Sequence, residues 1–214
     1  MSLPVVKLAT VYELRRMFGW NEEVTTNKNI SILTEKFLIS LLEKNGYSFD
    51  FTVAKKEKGK PYFLYNDKVY FSVSHTQGIV AVAIHDSEIG LDIEQLRSGK
   101  RAVAQRFFHP DEVKYLDKVS KTEPRSFDEQ YQMSNIQYDN AFTQLWTIKE
   151  AYVKMTGTGI ADNFSSLDLS PQTYKENQCY RKYNTDIISY YDTQLYCFVS
   201  MCAENLNVSD MKIN

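Results

Sequence analysis

Apolar residues recur at Ile30, Leu33, Phe37, Leu38, Leu41 and Leu42. That three- and four-residue spacing lines one face of a helix, so a helix is predicted over Ile30–Lys44, ended by Asn45-Gly46. Runs rich in apolar and β-branched residues predict strands at Pro4–Tyr12, Phe51–Ala54, Val69–Val73, Ile79–Ile84 and Glu88–Ile93. Only Gln77-Gly78 and His85-Asp86-Ser87 separate the last three, which predicts an antiparallel meander. After Leu96 the pattern restarts. Lys100–Phe108 has helical spacing, a further helix is expected from Pro110, where proline suits the first turn, and Asn140–Met155 is a strong helix. The polar stretch Val119–Asn140 has no clear period and is expected to be a long loop. Strands at Leu167–Leu169, Asp186–Tyr191 and Gln194–Met201 follow, the last two joined across Asp192-Thr193. Each half thus reads as helix plus antiparallel strands, an α+β chain of two similar lobes, 1–96 and 97–214.

Bulk composition narrows the classes. With 43% apolar and 24% charged residues in 214, the chain has material for a packed core. A net charge of −2 argues against a nucleic-acid partner. No apolar run approaches the ~20 residues of a membrane helix, and the N-terminal segment lacks the order of a signal peptide. The three cysteines have no metal-ligand spacing and cannot all pair with one another. A cytoplasmic protein with neither a nucleic-acid nor a membrane partner is expected.

Three stretches carry candidate chemistry: Gly59-Lys60-Pro61 with Ser72 to Thr76, Gly90-Leu91-Asp92-Ile93-Glu94, and Trp146 to Lys154. In a strand, Asp92 and Glu94 face the same side while Leu91 and Ile93 face the core. On a helix, Glu150 and Lys154 share a face. Taken singly, each has a plain structural explanation: a solvated strand face, a surface ion pair, a capping His75, a turn at Gly59. Together they point further. Two carboxylates ~5 Å apart repel by roughly 3 kcal/mol at an effective dielectric near 20, so a third acid beside them calls for a cation or a retained proton. Magnesium suits oxygen ligands and shared phosphate oxygens.

At these residues the chain resembles the Sfp-type phosphopantetheinyl transferases. The family's GKP, SHS/T, GxDxE and WxxKEAxxK elements occur in order as Gly59-Lys60-Pro61, Ser74-His75-Thr76, Gly90 to Glu94, and Trp146 to Lys154. The resemblance implies the family's α+β fold of two pseudosymmetric lobes, here on one chain acting as a monomer. It implies Asp92, Glu94 and Glu150 as Mg2+ ligands, and Lys149 and Lys154 as contacts to coenzyme A phosphates. It sets Ser74 and His75 near the nucleotide, and Gly59, Lys60 and Pro61 along the adenine pocket. Arg106-Phe107-Phe108 followed by Glu112 resembles a further family stretch and makes Glu112 a candidate acid. The implied reaction moves 4′-phosphopantetheine from coenzyme A to a serine of an apo acyl or peptidyl carrier protein. In it Glu150 is the base (Glu112 or a water the alternative), and Lys154 steadies the transferred phosphoryl group. The stretch Ile30 to Ile39 lacks the family's arginine and glycine, which leaves Lys28 and Lys36 as substitutes for the 3′-phosphate. Between Arg97 and Arg125, eight basic residues face four acids, so this segment is expected to dock an acidic carrier. Rival readings are another magnesium-dependent pyrophosphate-cleaving enzyme and a non-catalytic carrier-binding module.

Overall fold

Strand β1 (Val5–Thr10) runs directly into helix α1 (Val11–Met17), because Thr10 is a helix cap: its hydroxyl accepts from Glu13 N at 3.2 Å while the Glu13 carboxylate takes the Thr10 amide at 2.8 Å. That junction comes from a computed structural model that describes residues 4–21, 26–121, 127–159, 164–204 and 206. The order continues with α2 (Asn27–Lys44), β2 (Val53–Lys55), β3 (Pro61–Phe63), β4 (Tyr70–Thr76), β5 (Ile79–His85) and β6 (Ile89–Gln95). Then come α3 (Arg101–Phe107), α4 (Pro110–Val119), α5 (Phe127–Thr156), β7 (Gln178–Lys182), β8 (Thr185–Asp192) and β9 (Cys197–Ala203).

The strands form antiparallel sheets ordered β1-β5-β4, β2-β3 and β6-β9-β8-β7. The α+β class read from the sequence is therefore the observed one. Strand β5 is buried throughout and apolar from Ile79 to Ile84 because both of its faces are covered. Val80, Val82 and Ile84 pack toward α2, which contributes Leu33, Phe37, Leu38, Leu41 and Leu42. Ala81 and Ala83 meet Ile89, Leu91 and Ile93 of β6 and Val199 and Met201 of β9. A third cluster packs Phe142, Leu145 and Ile148 of α5 against Phe108, Leu116 and Phe164.

Four expectations change. First, the meander stops at β5. Strand β6 pairs with β9 instead, Asp92 opposite Ser200, because its chain-distant partner offers a fully buried apolar strand. Second, much of the expected loop at 119–140 is helix. α5 starts at Phe127, and its early part is fixed by long-range contacts: Tyr138 is buried under the Arg101 guanidinium at 3.9 Å, and Asp139 accepts from Gly99 N at 3.2 Å. Third, Leu167–Leu169 is not a strand; its backbone bonds go to side chains of Glu112, Lys149 and Tyr180. Fourth, residues 193–196 form a turn, so the last strand begins at Cys197, and α1, β3 and β7 have no counterpart in the prediction.

Candidate functional site

The site is built where α5 crosses β6. Gly90 allows this closeness: a methyl there would stand 2.5 Å from Met155 N and 2.9 Å from Ala151 C, and closer still to the Ala151 carbonyl oxygen. Two residues along the same strand, Asp92 presents its carboxylate, followed by Glu94. Both are held from β4. Ser74 Oγ donates to Asp92 Oδ1 at 2.7 Å, and Thr76 Oγ1 to Glu94 Oε2 at 3.1 Å. Ser72 and Ser74 also accept the Leu91 and Ile93 amides at 2.9 and 3.3 Å, so hydroxyls bridge two strands that share no backbone ladder. Sequence reasoning saw Ser74 as a nucleotide contact and did not assign Ser72 or Thr76. Their spacing of two, which puts all three on one strand face, was the available signal.

From α5, Lys154 lays its ammonium on Asp92 Oδ1 at 2.7 Å and on the Leu91 carbonyl at 3.1 Å. Glu150, one turn earlier, is pushed up to about 7 by burial first and then by the charge of Asp92, with Glu94 adding to it and Lys154 and Arg97 opposing. Arg97 holds Glu94 in an ion pair. Among the described residues no three acidic, imidazole or thiol groups converge as a ready-made metal site. The donor set nonetheless fits a hard cation on two observations. Asp92 Oδ2 is buried with no hydrogen-bond partner, and burial, with the charges of Asp92 and Glu94 added to it, raises the proton affinity of Glu150, a strain that a cation would relieve.

Beside these groups lies a cleft of about 430 Å³ lined by Gly59, Lys60, Pro61, Ser72, Val73, Glu150, Val153 and Lys154. Elements read separately in the sequence thus meet at one wall. Lys60 is half-buried, its ammonium bound to Glu88 and to the Met155 carbonyl, and Lys56 reaches the other Glu88 oxygen at 2.9 Å. His75 lies on the opposite face of β4 from Ser74 and is exposed.

Lys149 and Glu112 do not join this cleft. They bind one another in the interior at 2.8 and 2.9 Å, and the third ammonium donor goes to the Leu167 carbonyl at 2.8 Å. Burial pushes Glu112 up and Lys149 down, each opposed by the other's charge. Glu112 also accepts the Leu169 and His109 amides, and the Lys149 ammonium sits near the Phe108 and Phe164 rings. Such a saturated pair clamps α4, α5 and the 167–169 segment together rather than meeting a ligand. Of the proposed substitutes for a 3′-phosphate contact, Lys36 stands 5.9 Å over the Phe18 ring and is not among the described residues that line this cleft.

Comparison with known proteins adds an independent line. Residues 88–200, more than half of the chain, match the family model described as the 4′-phosphopantetheinyl transferase superfamily. The chain is 25% identical over 189 residues to the 4′-phosphopantetheinyl transferase gsp of Aneurinibacillus migulanus, covering 85% of this chain and 72% of that one. It is 36% identical over 108 residues to psf-1 of Bacillus pumilus, covering 50% of this chain and 40% of the relative. With Sfp of Bacillus subtilis it shares 31% over 119 residues, 54% of this chain and 47% of the relative. Two of these three matches therefore span less than half of the relative. The matched region holds the Gly90 crossing, the Asp92 and Glu94 strand and the Glu150 and Lys154 helix face, and the chain belongs to the 4′-phosphopantetheinyl transferase superfamily, a family of transferase enzymes.

Proposed function

We propose that this chain moves the 4′-phosphopantetheine arm of coenzyme A to a serine hydroxyl of an apo acyl or peptidyl carrier protein, with magnesium, releasing adenosine 3′,5′-bisphosphate. The observation that carries this reading is the meeting of Asp92, Glu150 and Lys154 beside the cleft that Gly59, Lys60 and Pro61 line. An ammonium already fixed by a carboxylate and a carbonyl is a preorganised partner for phosphoryl oxygens and pays little reorganisation on reaction. Glu150, lining the cleft beside Lys154, would take the serine proton. Glu112, shut in with Lys149, is left out of the proton path in favour of Glu150 or a water. Asp92, Glu94 and Glu150 would hold the magnesium ion, which when bound supplies neutralisation of the pyrophosphate charge. Ser74 and Thr76 keep the first two carboxylates aimed.

In the same reading an N-terminal lobe (1–96) serves the nucleotide and a C-terminal lobe (97–214) serves the metal and the carrier, with β6 completing the sheet of the second. His75, exposed on β4, remains the candidate for the nucleotide's 3′-phosphate. The working form is a monomer in the cytoplasm; the three free cysteines suit a reducing compartment, and among the described residues no helix is long and apolar enough to cross a membrane. Intact-mass measurement of an apo carrier protein after incubation with this chain, coenzyme A and magnesium tests the proposal: a phosphopantetheine gain on serine is expected. Cleavage of coenzyme A without a carrier would support the pyrophosphate-cleaving rival, and carrier binding without a mass gain would support the non-catalytic one.

A further inference from the structure

We infer that Lys60 and Glu88 are positioning residues, whose ion pair, fastened to the last turn of α5, sets where Lys154 and Glu150 stand relative to Asp92. This rests on the transferase reading above for what that placement achieves. The Lys60 ammonium joins three segments: its own at the start of β3, Glu88 just before β6, and the Met155 carbonyl at the end of α5. Met155 O belongs to the last turn of the helix, whose carbonyls lack intrahelical donors and carry the negative end of the dipole, so a cation is favoured there. The Lys60 stem takes part as well. Gly157 ends α5 at φ +69° and lies on that stem, where a methyl would come 3.2 Å from Lys60 Cδ.

Lys154 and Met155 are consecutive, so fixing the Met155 carbonyl fixes the turn from which Lys154 reaches Asp92. At the other contact, Gly90 lets the same turn lie against β6. One feature is a close approach and the other a tether; together they set both the distance and the axial position of the helix end. Glu88 is absent from the described walls of the cleft that Glu150 and Lys154 line. It lines an adjoining cavity of about 530 Å³, with Tyr62, Tyr70 and Phe71. Its link to the end of α5 is the Lys60 ammonium, which binds both Glu88 and the Met155 carbonyl. Lys56, on the other Glu88 oxygen, orients the carboxylate from the solvent side.

The test compares Glu88→Gln, Lys60→Met, Lys60→Arg and the Glu88→Gln/Lys60→Met double variant. The positioning role predicts that Glu88→Gln and Lys60→Met each lower kcat by about tenfold to a hundredfold, the scale of an ångström-sized misplacement. In Glu88→Gln, which leaves every residue lining the cleft in place, KM for coenzyme A should stay within about twofold of the wild type. Lys60→Arg should restore most of the rate, and the double variant should be no slower than the worse single one. Amide hydrogen exchange at residues 153–157, measured without substrate, should quicken in both single variants. A Lys60→Met variant with raised KM and normal kcat would make Lys60 a direct ligand contact and overturn the inference. So would a Glu88→Gln variant with wild-type kcat and wild-type exchange. If the wild-type chain transfers nothing to any carrier, the proposed function fails on its own, while the exchange measurement still decides whether the pair fastens α5.

Discussion

Replacing Glu150 by Gln removes a carboxyl that the folded chain keeps protonated up to about pH 7, against an ordinary value of 4.5. The sign follows from linkage. A raised folded-state value means that the native chain binds this proton more tightly than the unfolded chain does. The resulting stability is complete below about pH 4.5 and is lost as pH rises to about 7. A shift of that size corresponds to roughly 3 kcal/mol, a large fraction of a typical domain's stability. Glutamine fills the same space and carries no charge at any pH. Urea unfolding in the presence of chelator, at pH 4.5 and pH 8, should therefore show the variant more stable than wild type at the higher pH by about that amount, and close to it at the lower. The same variant should lose transferase activity by orders of magnitude, because the proposed proton acceptor is gone. Added magnesium should raise the wild-type midpoint and leave the variant's nearly unmoved. Parallel pH–stability curves for the two proteins would refute the claim that burial, with the charges of Asp92 and Glu94 added to it, raises this group's proton affinity.

Gly90→Ala should destabilise the chain by about 3 kcal/mol or more, since its methyl meets helix backbone rather than a movable side chain, and thermal melting would register the loss. Lys149→Met should cost roughly 3–5 kcal/mol in urea unfolding by stranding the buried Glu112 carboxylate, whereas Lys149→Met with Glu112→Leu should recover much of it. Reversing Lys114 and Lys118 to Glu should raise KM for an acidic carrier and flatten its salt dependence, with coenzyme A affinity unchanged; both are exposed, and Lys114 pairs with Asp111 at 2.8 Å. Of the segment expected to dock the carrier, residues 122–125 lie outside the described part of the chain.

The acids of the strand and the helix were legible because each depends on a local period. Two residues apart on a strand, Asp92 and Glu94 had to share a face; four apart on a helix, Glu150 and Lys154 did too. The same arithmetic, carried one step further, would have placed Lys149. Consecutive helix residues are about 100° apart, so Lys149 and Glu150 face different neighbours, and the structure buries the lysine against α4. What local periodicity does not contain is the choice of partner. Strand β6 follows β5 by a tight turn yet pairs with β9, more than a hundred residues on in the chain. The need for glycine at position 90 appears only when α5 is laid across the strand. The early part of α5 was missed for the same reason: Tyr138 and Asp139 owe their anchoring to Arg101 and Gly99, not to their own sequence neighbours. The T-x-x-E cap at Thr10 was a local signal that was readable and went unread.

The hydroxyl bridge between β4 and β6 also bears on how this chain behaves in company. Each of these strands is an outermost strand of its sheet by backbone pairing, and such strands offer free amides and carbonyls to any passing chain. Turned toward one another and joined by Ser72 and Ser74, they screen those groups from solvent. Of the two larger sheets, that leaves β1 and β7 as the outward borders. Both carry exposed cations there, Lys7 on one and Arg181 on the other, which discourage strand addition by like-charged neighbours. The serines thus act as a guard against aggregation as well as supports for Asp92, and their replacement by valine would be felt first as turbidity at high protein concentration.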